Sequence, residues 1–261
     1  MIKLFVSDID GTLVPEGGHE INPELLSVIL KLKEKGIQFA AASGRHVSSI
    51  DRIFRPIRER IFYIADNGGF IGLYNRPLFL EAFPKDVARA FIRDMKQVSE
   101  VELVVSSPEV AYMEPHNEDF RDWIVNGYGY QVKIVNDMAE IDDTILKISC
   151  YCEKGPEGIY KKAVSRYGTY GNAAISGKGW MDFTPLNINK GWAVKVLQES
   201  LNIKPEETFV FGDQLNDLEM MERAYYSFAV GSAREEVRQR ARFQADRSDR
   251  DGVLKVLKCF L

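Results

Sequence analysis

Two carboxylates stand one residue apart in Ser7-Asp8-Ile9-Asp10-Gly11-Thr12-Leu13, directly after the apolar run 2–6, which only Lys3 interrupts. Side chains of an extended chain alternate between its faces, so an Asp-x-Asp pair points both carboxylates to one side. Two close anions repel unless a positive charge sits between or beside them. A hard divalent cation such as Mg²⁺ meets that need, because it takes oxygen ligands and retains waters. Gly11 lets the backbone turn away sharply at this point. Taken alone, the pair also fits a polar strand-to-loop turn. Further residues therefore have to decide. They are Ser43 in Ser43-Gly44-Arg45, Lys190 in Asn189-Lys190-Gly191, and Asp213, Asn216 and Asp217 in Gly212-Asp213-Gln214-Leu215-Asn216-Asp217.

The elements around these residues predict that they meet. The run 2–6 reads as a buried strand ending at Asp8. Asn22-Pro23-Glu24 starts a helix with an N-cap residue, Pro at the first helical position and an acid in the first turn. Leu25, Val28, Ile29 and Leu32 give that helix one apolar face, and Gly36 ends it. A second strand over 37–42 runs into Ser43, so strand, helix and strand form a right-handed parallel crossover. A helix over 47–55, a strand over 61–65 and a hairpin of 70–74 and 78–80 around Asn75-Arg76-Pro77 follow. Later, Asn189-Lys190-Gly191 opens a helix, and a strand over 208–211 leads straight into Asp213. In an open parallel sheet, ligands bind at the carboxyl ends of the strands. Asp8, Asp10, Ser43, Asp213, Asn216 and Asp217 all fall at such ends. Lys190 joins them at a helix start, where an acid is the more usual occupant.

Around Pro84 the alternation of strand and helix stops. The next hundred or so residues read as an α+β insert with a mostly antiparallel sheet. Its expected helices are 85–99, 118–126 and 156–167, and its expected strands 101–106, 111–113, 145–152, 173–176 and 180–184. The parallel pattern then resumes, with a helix through about 224, a strand over 227–230, and helices near 234–242 and 251–260. The expected organisation is a discontinuous core of 1–83 and 187–261 interrupted by an insert of 84–186. The fold class is α/β: a Rossmann-like parallel-sheet core with helices on both faces plus the inserted α+β domain.

Composition narrows the function. The chain has 261 residues, a formal net charge of −4 and 45% hydrophobic residues, an ordinary globular balance with no basic footprint for nucleic acid. No apolar run reaches the length of a membrane span, and the first residues read as a strand and not a signal peptide, which predicts a cytoplasmic protein. No obligate protein partner is evident. The three cysteines, Cys150, Cys152 and Cys259, form no disulfide framework, and no Cys/His pair follows at zinc-binding spacing. His19, His46 and His116 are scattered and support no histidine metal site or Ser-His-Asp triad.

The four ordered stretches Asp8-Ile9-Asp10-Gly11-Thr12, Ser43-Gly44-Arg45, Asn189-Lys190-Gly191 and Gly212-Asp213-x-x-Asn216-Asp217 resemble the haloacid dehalogenase superfamily. The position of the insert, between the second and third, is similar to the Cof-like branch of Mg²⁺-dependent phosphatases with a large α/β cap. The resemblance implies that Asp8 is the nucleophile, forming an aspartyl-phosphate, and that Asp10 is the general acid and base. It implies Mg²⁺ held by Asp8, the main-chain carbonyl of Asp10, and Asp213, with Asn216 or Asp217 in support. Ser43, the Gly44 amide, Lys190 and Asn216 would bind the phosphoryl group, while Arg45 and Asn67 would touch substrate or the closed cap. Asp182 matches a cap position often acidic in relatives. Cap loops 106–117 and 175–180 would shape the leaving-group pocket. The implied activity is hydrolysis of small phosphorylated metabolites, with sugar or polyol phosphates foremost. Two other readings stay open at this level: phosphomannomutase-like transfer to a second hydroxyl, and a receiver-like phospho-acceptor module.

Overall fold

The computed structural model describes residues 1–15, 18–186 and 188–261. The expected boundary at residue 187 lies outside the described residues. The chain begins with β1 (Leu4–Asp8), α1 (Pro23–Glu34), β2 (Gln38–Ala42), α2 (Val47–Phe54), β3 (Phe62–Ala65) and the hairpin β4 (Phe70–Leu73) and β5 (Arg76–Leu80). In α1 the Asn22 side chain accepts from the Glu24 amide at 2.9 Å, and Leu25, Val28, Ile29 and Leu32 are the buried face. Local signals and packing thus agree on where this helix starts and which way it faces.

The insert follows as α3 (Lys85–Lys96), β6 (Glu102–Ser106), β7 (Ala111–Met113), α4 (Glu118–Asp122), β8 (Val132–Ile134), β9 (Lys147–Tyr151), α5 (Glu157–Tyr167), β10 (Gly171–Gly177) and β11 (Trp180–Pro185). The chain then returns to the first sheet through α6 (Lys190–Leu201), β12 (Thr208–Gly212), α7 (Leu218–Met221), β13 (Tyr226–Ala229), α8 (Glu235–Arg240), β14 (Phe243–Gln244) and α9 (Gly252–Lys258).

Two sheets result. The first has eight strands in the order β14-β13-β12-β1-β2-β3-β4-β5, parallel except at the β3–β4–β5 edge. The second has six in the order β10-β11-β9-β6-β7-β8, and only β7 and β8 pair in parallel. β1 lies at the seam, pairing with β2 on one side and β12 on the other. Each sheet carries its own apolar core. The larger joins Phe5, Val6, Ile29, Phe39, Ile64, Val194 and Phe211. In the insert, Phe91, Ile148, Met181 and Phe183 pack under the helices, and Phe91 and Phe183 stack with centroids 4.1 Å apart. Alternation along β9 and β11 sends their other side chains to the opposite face, toward the first sheet.

Some elements differ from the sequence reading. The hairpin turns at Tyr74-Asn75 and β5 starts at Arg76, with Asn75 in the left-handed region at φ +51°. Arg76 and Pro77 are therefore strand residues, tolerable because β5 is an exposed edge with no outer neighbour among the described residues. The expected helix 118–126 stops at Asp122 and continues as a wider turn over Trp123–Gly127. β8 and β14 carry little sequence signal because they are edges only three and two residues long and largely exposed. Cys150 and Cys152 share the α3–α5 face of β9 and all three thiols are free, in keeping with packing use.

Candidate active site

Strand register sets the site. Asp8 is level with Ala42 and Ser7 with Phe211, so β1, β2 and β12 end together and their next residues share one rim. Gly11, at φ +77°, carries the chain back under that rim. A Cβ at Gly11 would overlap the Asp213 carboxylate, so glycine is required there.

Four of the expected residues meet directly. Lys190 Nζ donates to Asp8 Oδ1 at 2.5 Å and to Asp217 Oδ1 at 2.7 Å, although 182 and 27 positions separate it from them. Asp8, Asp213 and Asp217 each offer a carboxylate oxygen within 4.8 Å of the others. Thr12 Oγ1 donates to Asp213 Oδ1 at 2.8 Å, and the Asp213 and Gln214 amides donate to Asp217 Oδ2. All four charged groups are at most 4% exposed. Burial pushes the Asp8 carboxyl well above its ordinary range; Lys190 opposes this, while Asp217, Asp213 and Asp10 add to it. Burial and then Asp217 raise Asp213 to about 6. Burial alone would lower the Lys190 pKa, but Asp217 and Asp8 outweigh it and hold the ammonium charged.

The charge count is simple. Fully ionised, three buried carboxylates would face one ammonium, leaving two negative charges without a counter-ion. A buried charge is costly unless paired. Oxygen-only donors, two uncompensated charges and no nitrogen or sulfur ligand fit a hard divalent cation such as Mg²⁺.

Asp10 is engaged elsewhere. Its Oδ1 and Oδ2 accept from Arg45 Nη2 and Nε at 2.6 and 2.8 Å, a two-pronged ion pair. Arg45 is 4% exposed and also donates to the Gly18 carbonyl and Ser49 Oγ, with His19 Nδ1 at 3.2 Å. Ser43 is buried beside this pair, and its Oγ accepts from the Arg45 amide at 3.1 Å.

Asn67 and Asn216 lie between the two sheets. Asn216 Nδ2 donates to Asn67 Oδ1 at 3.2 Å, and Asn67 Nδ2 lies 3.4 Å from Asp182 Oδ2 on β11. Ser149 Oγ, on the neighbouring strand β9, donates to Asp182 Oδ1 at 2.6 Å. A continuous polar path thus runs from the Asp217 loop into the insert.

Lys147, also on β9, was missed by the sequence reading. It is 2% exposed, its Nζ donates to the Gly44 carbonyl, and it lies 3.1 Å from Asp66 Oδ1. Burial would lower its pKa, but Asp182 and Asp66 prevail and keep it protonated. Nearby, His46 Nε2 lies 2.9 Å from the Ser107 carbonyl, and Tyr130 Oη accepts from the His46 amide at 3.1 Å. A charge in the middle of Ile145-Leu146-Lys147-Ile148 was the available signal, because lysine inside an apolar strand needs a partner.

The chain belongs to the haloacid dehalogenase-like hydrolases, whose family model matches residues 5–257. It is 26% identical over 259 residues to the 5-amino-6-(5-phospho-D-ribitylamino)uracil phosphatase YbjI of Escherichia coli, covering 98% of this chain and 95% of that protein. It is also 26% identical over 253 residues to an Escherichia coli HMP-PP phosphatase, covering 91% of this chain and 87% of the relative. A crystal structure from Eubacterium rectale superposes with a TM-score of 0.90 at 31% identity, covering 100% of this chain and 99% of that one. No helix among the described residues is long and apolar enough to cross a membrane.

Proposed function

We propose that the chain is a Mg²⁺-dependent phosphatase of small phosphorylated metabolites, working through an aspartyl-phosphate on Asp8. The observation that carries this reading is the buried cluster in which Lys190 bridges Asp8 and Asp217 while Asp213 stands within ligand distance. In support, both Escherichia coli relatives are named as phosphatases.

Asp8, Asp213 and Asp217, with the main-chain carbonyl of Asp10, would hold the cation. Bound there, Mg²⁺ supplies charge neutralisation between an anionic nucleophile and an anionic substrate. An Asp8 oxygen attacks phosphorus, the new P–O bond forms as the ester P–O bond breaks, and Asp10 gives its proton to the leaving alkoxide. Asp10 then takes a proton from the water that attacks the aspartyl-phosphate, which releases inorganic phosphate and restores the Asp8 carboxylate and the protonated Asp10. The Arg45 fork holds both Asp10 oxygens in place at the rim. Ser43, the Gly44 amide, Asn216 and Lys190 are assigned to the phosphoryl oxygens. Lysine suits this as a point charge with several donors. Residues 84–186 are assigned as a cap that closes on the cleft and excludes water, with Asn67 at the contact.

The test is phosphate release across a metabolite panel with Mg²⁺ and again with chelator. Release that continues undiminished in Asp8→Asn places the nucleophile elsewhere. Isomerised sugar phosphate without free phosphate favours a mutase.

A further inference from the structure

Granted the phosphatase centre proposed above, the geometry points to a leaving group that carries a planar heteroaromatic ring on a hydroxylated linker. The cleft-facing side of the inserted sheet changes character in steps. Nearest the Ser43–Arg45 loop is Lys147. The next rung across β9 and β11 pairs Ser149 with Asp182, and the rung after that pairs Tyr151 with Trp180. Residues two apart on a strand are about 6.6 Å apart and share a face. A substrate leaving the phosphoryl site would therefore pass hydrogen-bonding groups first and reach aromatic ones next.

The aromatic rung is part of a wall. Trp180 lies 5.1 Å from Tyr151, and Trp123 lies 5.2 Å from both Tyr151 and Tyr128, centroid to centroid. Tyr128 closes the distance to the catalytic rim, with the Arg45 guanidinium carbon 5.9 Å from its ring centre. Ser49 Oγ donates to the Tyr128 carbonyl, tying this end of the wall to α2.

These rings pack on a small apolar cluster around Phe120 and Ile124, yet they stay partly open. Tyr128, Tyr151 and Trp180 are only half-buried, and Trp123 is 40% exposed. By contrast, Phe91 and Phe183 on the other face of the same sheet are fully buried. Leaving four large rings partly exposed beside a charged cleft forgoes apolar burial unless a ligand completes it. A flat ring matches such a wall because every heteroaromatic base offers a π-face. The polar rung of Asp182 and Ser149, with Asn67 opposite, suits hydroxyls on the chain between phosphate and ring. The relative YbjI, whose name specifies a phosphoribitylamino-uracil, is a precedent for that two-part chemistry in a similar chain.

The experiment compares two esters that differ only at the far end of the ribityl chain: ribitol 5-phosphate, which ends in a hydroxyl, and 5-amino-6-(5-phospho-D-ribitylamino)uracil, which ends in the amino-linked ring. The ratio of their kcat/KM values, with Mg²⁺ present, should favour the ring-bearing ester by about tenfold or more, the size expected of one stacked ring. Trp180→Leu should bring that ratio down by at least about fivefold, and Trp180→Phe should retain most of it. Should Trp180→Leu fail to fold, Trp123→Leu at the open end of the wall reads the same ratio. Equal hydrolysis of the two esters, or a ratio untouched by both leucine variants, overturns the inference while leaving the phosphatase reading intact. Absence of phosphate release from every ester tested removes the phosphatase reading itself, and the ring assignment with it.

Discussion

At the scale of single residues, the site sets three buried carboxylates against one ammonium. On the proposed mechanism, Asp8→Asn removes the attacking oxygen and one of three buried carboxylates together. Turnover should fall by roughly a thousandfold or more, while the metal-free protein should melt higher than the parent, because like-charge repulsion is relieved. Steady-state kinetics and a thermal melt in chelator check the two halves separately. Lys190→Met has the opposite effect on stability. It leaves Asp8 and Asp217 buried without their bridge, and removing one partner of such a pair typically costs about 3–5 kcal/mol. Denaturant unfolding in chelator should show that loss, and saturating Mg²⁺ should recover part of it. Arg45→Lys keeps the charge and loses the fork that grips both Asp10 oxygens. Its kcat should drop more than its KM rises, since the proposed role of Asp10 is proton transfer and not ground-state binding.

At the scale of elements, β9 brings Lys147 of the insert to the carbonyl of Gly44 and so couples the second sheet to the Ser43–Arg45 loop. Lys147→Met should raise KM and lower kcat together, by about tenfold in kcat/KM if one charged hydrogen bond is lost. Lys147→Arg should restore part of it, whereas a merely structural lysine would change melting temperature without moving the kinetic constants.

The same elements explain what could be read from the chain. Helix α1 announced itself because Asn22, Pro23 and an i, i+3, i+4, i+7 apolar stripe agree with its packing. The rim was legible because parallel strands of similar length put Asp8, Ser43 and Asp213 at one end, and because lysine is out of place at the start of α6. The Asp10–Arg45 fork was not, since it depends on side-chain reach across a loop. Nor was the Lys147–Gly44 contact, which exists only once two sheets have docked. The turn at Tyr74-Asn75 was misplaced because Pro77 reads as a loop residue unless the strand is known to be an edge.

At the scale of the whole molecule, the buried cluster makes stability a function of pH and metal together. Asp213 has an ordinary pKa of 3.8 and is raised to about 6 by burial and by Asp217. The folded form therefore keeps this proton at a pH where the unfolded chain has lost it. Its contribution destabilises the metal-free fold as pH rises from about 4 through about 6, and the loss is complete above that. A cation that binds only the ionised, folded site reverses this, contributing about 2.7 kcal/mol at a hundredfold excess over its Kd. The rise in melting temperature on adding Mg²⁺ should thus be small near pH 5 and larger near pH 7.5, as differential scanning calorimetry can read. A rise independent of pH would place the cation outside this cluster.

The seam of the first sheet joins Leu4 to Thr208, so its two strands leave the ribosome some two hundred residues apart. Asp8 and Asp10 emerge early, yet Lys190, Asp213 and Asp217 come only near the end of synthesis, after the whole insert. Until then β1 has one edge open and its acids lack their counter-charges. A chain cut short anywhere before residue 217 should accordingly be inert, a built-in guarantee that no half-made copy begins hydrolysing cellular phosphates.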